Sequence, residues 1–336
     1  MSTIDIYGIG NPLIDIIAPA GDDDLQILGL DKGIMRLVDL GERAKILNHI
    51  QGREISYSCG GSCPNTMIFL SALGTGTALA GKIGTDDFGE RYADNLPEAN
   101  LTSQLKVGSG ATGSSIILVS PDSERTMNTY LGANREFSRE DMDGDVVSRA
   151  RFLYFTGYMW DTEPQKNAVL SAIDICKSRG GTVVFDVADP FAVDRNLDEF
   201  RRLIHEKVDI VFANREEAKL LFGTESAQDA ARRLADLCEL AIVKDGSAGS
   251  YVSRNGSEQI HIPARVVHAV DTTGAGDMYA AGFLYGVCSG MGDRDAGICA
   301  SYLASRIVET WGAQFLPGQR KEIAAEVTSG EWRYTS

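Results

Sequence analysis

The sequence predicts an α/β fold: a central, mostly parallel sheet with helices on both faces, and a smaller β-sheet over its strand ends. Three observations lead there. From about residue 150 onward, short β-branched runs alternate with amphipathic helical ones. The N-terminal part holds short, partly exposed strands without helices between them all. Polar or glycine residues (Asp186, Asn214, Gly246) stand where the later strands end, and ligands on parallel sheets bind beyond those ends.

IDIYGIG (4–10) reads as the first strand. IDIIAPA (14–20), GIMRLVD (33–39), REISYS (53–58), SSIILVS (114–120) and ERTMNTY (124–130) read as the small sheet, placed to act as a lid. GTALAGKI (76–83) reads as a strand interior. RFLYFTG (151–157), TVVFDVAD (182–189), VDIVFAN (208–214) and LAIVKDG (240–246) are strands of the main sheet. Between them, residues 164–180, 197–207 and 216–223 are helical, the first and last stopped by Gly180 and Gly223. Such alternation makes right-handed crossover units. The two parts interleave: a large domain over 1–10, 59–104 and 131–336, and a lid over about 11–58 and 105–130.

Composition narrows the function. The chain has 336 residues, 43% hydrophobic and 24% charged, ordinary for a protein with a real core. A net charge of −15 excludes a nucleic-acid or anionic-membrane surface, where Lys and Arg must neutralise phosphates. A nucleotide would then be held by backbone N–H groups, one or two cations, or a metal ion. There is no signal pattern and no bilayer-spanning apolar run. The six cysteines are scattered and read as reduced thiols, so the expected location is the cytoplasm. Cys59 and Cys63 lack the second Cys/His pair that a zinc site needs.

Two phosphate-loop matches fail on context. GTALAGKI has Ile83 where a hydroxyl should hold Mg²⁺, and GIGNPL (8–13) has Leu13 where a third glycine belongs and runs into a strand. The run DTTGAGDMYAAGFLYG (271–286) is different. Its small, polar half precedes an apolar helix over about 276–288, after a strand read in HIPARVVHAVD (261–271). Gly274 and Gly276 allow close backbone approach, and the helix start offers unpaired N–H groups and a positive end. A carboxylate at that mouth, Asp277, repels phosphate unless it works as a general base on an alcohol. Plain N-capping, worth about 1 kcal/mol, is the simpler role; the Gly274-Ala275-Gly276 run and the paired Thr272 and Thr273 favour the base.

DTTGAGDMYAAGFL resembles the C-terminal signature of the ribokinase-like, or PfkB, sugar and nucleoside kinases. CGGSCPNTMIFLSALG (59–74) resembles their N-terminal signature, GKIGTDDFG (81–89) the strand and loop after it, and NREE (214–217) their Asn-x-x-Glu motif. The resemblance runs from Tyr7 to about Phe315. It implies a three-layer α/β/α sandwich with a β-sheet lid and an ATP- and Mg²⁺-dependent kinase. Asp277 would be the catalytic base, with Gly274, Ala275 and Gly276 as the anion hole. Gly60, Gly61 and Asn65 would grip ribose or sugar hydroxyls together with Asn11 and Asp15. Asn214 and Glu217 would organise Mg²⁺ through water. Lys244, Gly246, Gly249, Thr272 and Ser301, with Asn214, would contact ATP, and Arg125 would bring a cation towards the phosphates.

The residues admit other readings. Asp15 lies in an apolar strand, where a carboxylate is costly unless something such as a pair of hydroxyls bonds it, or unless the sheet is half-solvated. The Gly60-Gly61 pair serves a turn before Pro64, Glu217 suits a helix first turn, and Arg125 a solvated hairpin. Asn11-Pro-Leu-Ile-Asp15 resembles the adenosine kinase branch, in which Tyr158 would stack on a purine; strand-end core explains Tyr158 equally. Asp186 stands where that branch has an amide, which resembles sugar kinases instead. The expected reaction is phosphorylation of a nucleoside 5′-hydroxyl, adenosine first, with a ribose- or fructose-type sugar as alternative and a non-catalytic sensor as the alternative of another class. The expected partner is a small nucleoside or sugar, with the protein a monomer or homodimer.

Overall fold

The computed structural model describes residues 4–97, 99–122 and 124–333. The chain begins in the main sheet with β1 (Ile6–Ile9) and crosses at once into the lid with β2 (Leu13–Pro19). It adds α1 (Asp22–Leu28), β3 (Met35–Leu37), α2 (Leu40–His49) and β4 (Ser56–Gly60) there. It returns through α3 (Ser62–Ala72), β5 (Thr77–Ile83), α4 (Asp87–Asp94) and β6 (Leu101–Val107). β7 (Gly113–Val119) and β8 (Arg125–Tyr130) complete the lid. Then follow α5 (Gly144–Arg149), β9 (Phe152–Thr156), α6 (Glu163–Ser178), β10 (Thr182–Asp186) and α7 (Pro190–Lys207). β11 (Ile210–Asn214), α8 (Arg215–Phe222), α9 (Ala227–Ala235) and β12 (Leu240–Lys244) continue the alternation. β13 (Ser250–Arg254), β14 (Ile260–Ile262), α10 (Ala275–Cys288), α11 (Asp293–Ile307) and α12 (Pro317–Ser329) end it.

The main sheet has the order β14-β13-β12-β11-β10-β9-β1-β5-β6, parallel from β12 to β6, with β13 and β14 antiparallel at one edge. Side chains alternate between its faces with the period of two that a strand imposes. Tyr7, Ile9, Leu153 and Phe185 enter the core shared with α5 to α9, while Ile6, Tyr154, Val184 and Phe212 enter the core shared with α3, α10, α11 and α12. Both faces are covered, which is the three-layer sandwich. It explains why these strands read as nearly continuous apolar runs.

The lid is a five-stranded sheet, β3-β8-β7-β2-β4. Ile14, Ile16, Ile116 and Leu118 point outwards into a core closed by Leu25 and Leu28 of α1 and Ile46 of α2. The alternate positions Leu13, Asp15, Ser115 and Ile117 face the cavity below. The register sets Asp15 beside Ser115 on β7 and Ser58 on β4.

Several expected boundaries move. The lid carries two covering helices where only strands were expected, because α1 and α2 have too few apolar positions to show a helical stripe in the sequence. Residues 105–107 belong to the main sheet, whereas β4 keeps the lid going to Gly60. The strand expected over 182–189 stops at Asp186, because Asp189 caps α7 ahead of Pro190. The strand expected over 261–271 ends at Ile262. Neither rejected phosphate loop leads into a helix: Lys82 lies within β5, 2.9 Å from Asp141, and residues 8–13 run from the end of β1 into the start of β2.

Candidate active site

A cavity of about 680 Å³ lies between the lid and the carboxyl ends of the main strands. The sheet register delivers its floor. Asp186 is level with Thr156 on the neighbouring strand, and Asn214 with Lys244. All four line the cavity. α10 enters from the side, and its first turn also lines it.

Asp277 occupies the third position of α10. Gly274 precedes the helix with φ +80°, and a Cβ there would come within 2.7 Å of the Ala313 backbone. Only glycine fits both demands. Ala275 N–H bonds to Thr272 and Met278 N–H to Gly274, but Gly276 and Asp277 N–H have no partner among the described residues. Two N–H groups are thus left for an anion. One Asp277 oxygen accepts from the Ser62 hydroxyl at 2.7 Å and the other from Asn65 Nδ2 at 2.8 Å. Burial pushes this carboxyl up to about 6, while the Asn65 and Ser62 hydrogen bonds pull it down. A carboxylate held this way is ionised at neutral pH yet basic enough to take a proton.

On the lid side, Gly61 has φ +102°, and a Cβ there would overlap the Asn11 carbonyl at 2.1 Å. Asp15 is buried, and a Cβ on Gly60 would lie 2.3 Å from its carboxylate. Gly60 therefore makes room for Asp15 and does not line the cavity itself. Burial, with repulsion from Asp277 second, raises the Asp15 carboxyl to about 7. Asn11 lines the cavity and accepts from Gln165 Nε2 at 2.7 Å, a buried residue that sequence reading missed.

Asn214 and Glu217 form a capping box at the start of α8: Glu217 Oε2 accepts the Asn214 N–H at 2.8 Å, and Asn214 Oδ1 the Glu217 N–H at 2.9 Å. This explains their spacing of three. Glu217 is buried, and burial raises its carboxyl. Burial works against the Lys244 ammonium, but Asp186, 3.3 Å away, and Glu217 outweigh it and hold Lys244 above its ordinary value. Ala188, just after Asp186, has φ +79° and lines the cavity. For a residue with a Cβ this stores roughly 1–2 kcal/mol of strain.

Asp15, Asp161, Asp186, Glu217 and Asp277 line the cavity against Lys244 and Arg265. Among the described residues no group of three or more His, Cys, Asp or Glu is arranged to hold a metal. An acidic wall without a closed cage suits Mg²⁺ arriving with phosphates, held largely by water and by one or two carboxylates. Asp186 and Glu217 are the carboxylates beside the strand ends.

Tyr158, Gly246, Gly249, Thr272 and Ser301 also line the cavity, with the Ser301 hydroxyl bound to the Pro263 carbonyl at 3.0 Å. Arg125 does not. Its guanidinium pairs with Asp271, whose carboxylate also accepts Thr273 N–H at 2.9 Å and Gly312 N–H at 2.7 Å. The lid is thereby tied to the loop that leads into the anion turn. Ser62 and Asp161 also line the cavity, while Gln165, Asp271 and Gln314 stand behind it, bonded to Asn11, Thr273 and Asn65, and the sequence carries no local signal for these contacts between distant parts of the chain.

A family model described as pfkB family carbohydrate kinase matches residues 32–319. The crystal structure of an adenosine kinase from Sinorhizobium meliloti is 36% identical, covers 97% of this chain and all of that one, and superposes with a TM-score of 0.89. A probable sugar kinase from Rhizobium etli is 34% identical, with a TM-score of 0.89 over 97% of this chain and 99% of its own. A ribokinase of Mus musculus is 28% identical over 242 residues, 68% of this chain and 71% of that one. Fold, anion turn and relatives converge, and the chain belongs to the pfkB family of carbohydrate kinases.

Proposed function

We propose that this kinase transfers the terminal phosphoryl group of ATP to the 5′-hydroxyl of a nucleoside, with adenosine first among the acceptors. The carrying observation is Asp277, held by Ser62 and Asn65 beside the free N–H groups of the α10 start. Asp277 accepts the hydroxyl proton, and Gly276 and Asp277 N–H bind the oxygens on which charge builds up. Lys244 adds a cation at the same point: its Nζ lies 3.2 Å from where a Cβ on Gly276 would stand. Asp186 and Glu217 are the residues that would hold Mg²⁺, which would supply charge neutralisation at the phosphates. The lid excludes water from the transfer.

The inner face of the lid favours a nucleoside. Leu13, Met35, Leu37, Ile117 and Met127 line that side, which suits a flat base better than a ring of hydroxyls. The likeness to the S. meliloti adenosine kinase supports the same reading. Asp186, charged where an amide was expected, supports a free sugar instead, as does the likeness to the R. etli protein. The free thiols fit a reducing compartment.

The experiment supplies ATP and Mg²⁺ with adenosine, other nucleosides, ribose and fructose, and follows ADP. The expected result is the highest kcat/KM with adenosine. A sugar ahead of every nucleoside overturns the acceptor class; binding without ADP from any member overturns catalysis itself.

Asp15 yields a second expectation. A carboxylate accepting substrate hydroxyls contributes charge-assisted bonds, so Asp15→Asn weakens acceptor binding roughly 10- to 100-fold. Its effect on stability has the opposite sign. The carboxyl rises from an ordinary value of about 3.9 to about 7 on folding. Its stabilising contribution is full below pH ~4 and is lost as pH rises through about 7. The ligand-free variant therefore gains thermal stability over the parent at pH 8 and gains less at pH 5. Equal gains at both pH values count against a buried, raised Asp15.

A further inference from the structure

The carboxylate of Asp277 is linked to a second amide that neither the motifs nor the expected mechanism uses. Gln314 Nε2 donates to Asn65 Oδ1 at 2.8 Å, and Asn65 Nδ2 donates to Asp277 Oδ2 at 2.8 Å. Asn65 is buried. The loop bearing Gln314 is fixed on both sides: Ala313 packs against Gly274, and the Phe315 ring lies 5.1 Å from that of Phe69 on α3, the helix that carries Asn65.

We infer that Gln314 is a positioning residue that holds the Asn65 amide with its NH₂ towards Asp277, and so keeps Asp277 an acceptor. The argument is one of donor and acceptor counting. An ionised carboxylate only accepts, so it is matched by Asn65 Nδ2. A protonated one donates, and its best partner is Asn65 Oδ1, which requires the amide to turn over. Turning over would set two NH₂ groups, those of Asn65 and Gln314, face to face. It would also leave the Asn65 oxygen without the donor it now has. Gln314 therefore penalises the protonated state of Asp277 through Asn65, against the burial that favours that state. The inference rests on Asp277 acting as the base.

Other charged and titratable groups also face Asp277: Asp15 from β2, Asp186 from β10, Lys244 from β12, Cys63 from α3, Tyr154 from β9 and Tyr158. They stay in place when only Gln314 is changed.

The test follows kcat against pH with ATP, Mg²⁺ and adenosine for the parent, Gln314→Glu and Gln314→Met. ATP titrates identically in all three, so differences between profiles report the protein. Gln314→Glu offers Asn65 only acceptors and draws its NH₂ away from Asp277. The acid limb should then move up by about one pH unit or more, the size of a charge-assisted bond. Gln314→Met removes the donor without adding charge, and its limb should move up by less. KM for adenosine should change little in either. A shift with Glu but none with Met marks a direct field effect and overturns the relay. No shift in either, with Asp277→Asn inactive, overturns the relay and leaves the base standing. An active Asp277→Asn overturns both.

Discussion

Asp277→Asn lowers kcat by at least ~10²-fold and leaves acceptor binding within a few-fold of the parent. Removing the base takes away the proton's destination but not the free N–H groups at the α10 start, Lys244, or the wall formed by Asn11 and Asp15. The loss therefore falls on kcat and not on KM, the pattern of an interaction made in the transition state. The fold survives, because the new amide oxygen still accepts from Ser62. The ligand-free variant gains stability relative to the parent as pH rises through about 6, against the fixed cost of its new NH₂ facing Asn65 Nδ2. The Asp277 carboxyl rises on folding from an ordinary value of about 3.9 to about 6, so its ionised form is the costly one in the fold. The measurement is ADP release at saturating adenosine, with binding followed separately by calorimetry. A variant near the parent rate ends the assignment of Asp277 as base, whatever it does to stability.

What the sequence revealed and what it concealed divide along contact distance. The main strands were legible because both faces are buried and each run is locally apolar. The glycine turn before α10, the Asn214–Glu217 pair and the Gly60-Gly61 turn were legible because their geometry is local: a capping box spans four residues, and a helix start needs a few. The partners of those groups were not legible. Ser62 meets Asp277 across 215 positions of chain, Gln314 meets Asn65 across 249, and Arg125 meets Asp271 across 146. No window contains both ends of such a bond.

The segment 261–271 misled for a related reason. Its alternation is real: Val267 and Ala269 face the cavity while Val266 is fully exposed. But the alternation records the inside and outside of a binding cavity, not the two faces of a sheet. Among the described residues, no neighbouring strand pairs with it beyond Ile262. Asn65 shows the same limit. Its place in the helix was foreseen, but its amide is spent on Asp277 and Gln314, which only the assembled fold brings near.

Gly274→Ala abolishes most activity by moving the anion turn without touching a side chain of the site. Two costs combine. A Cβ at φ +80° carries a penalty of roughly 1–2 kcal/mol wherever it occurs. Here the Cβ would also come within 2.7 Å of Ala313 Cα and 2.8 Å of its carbonyl oxygen, both backbone atoms that cannot swing aside. The turn must therefore shift relative to the 308–316 loop, to which it is pinned by Val270 and Asp271 N–H on the Val308 carbonyl and by Gly312 N–H on Asp271. Either the N–H groups of Gly276 and Asp277 leave their alignment or Asp277 leaves Ser62 and Asn65. Misplacing one such donor costs on the order of 10²- to 10³-fold in kcat. Gly180→Ala is the control that separates strain from displacement. Gly180 has φ +73° at the end of α6 and nothing within 4 Å of a built Cβ. It should lose roughly 1–2 kcal/mol of stability and keep its activity. The measurements are kcat with adenosine and the denaturant midpoint of each variant. Loss of activity in both variants to the same degree, or in neither, removes the close packing of the turn on Ala313 as the feature that aligns the anion site.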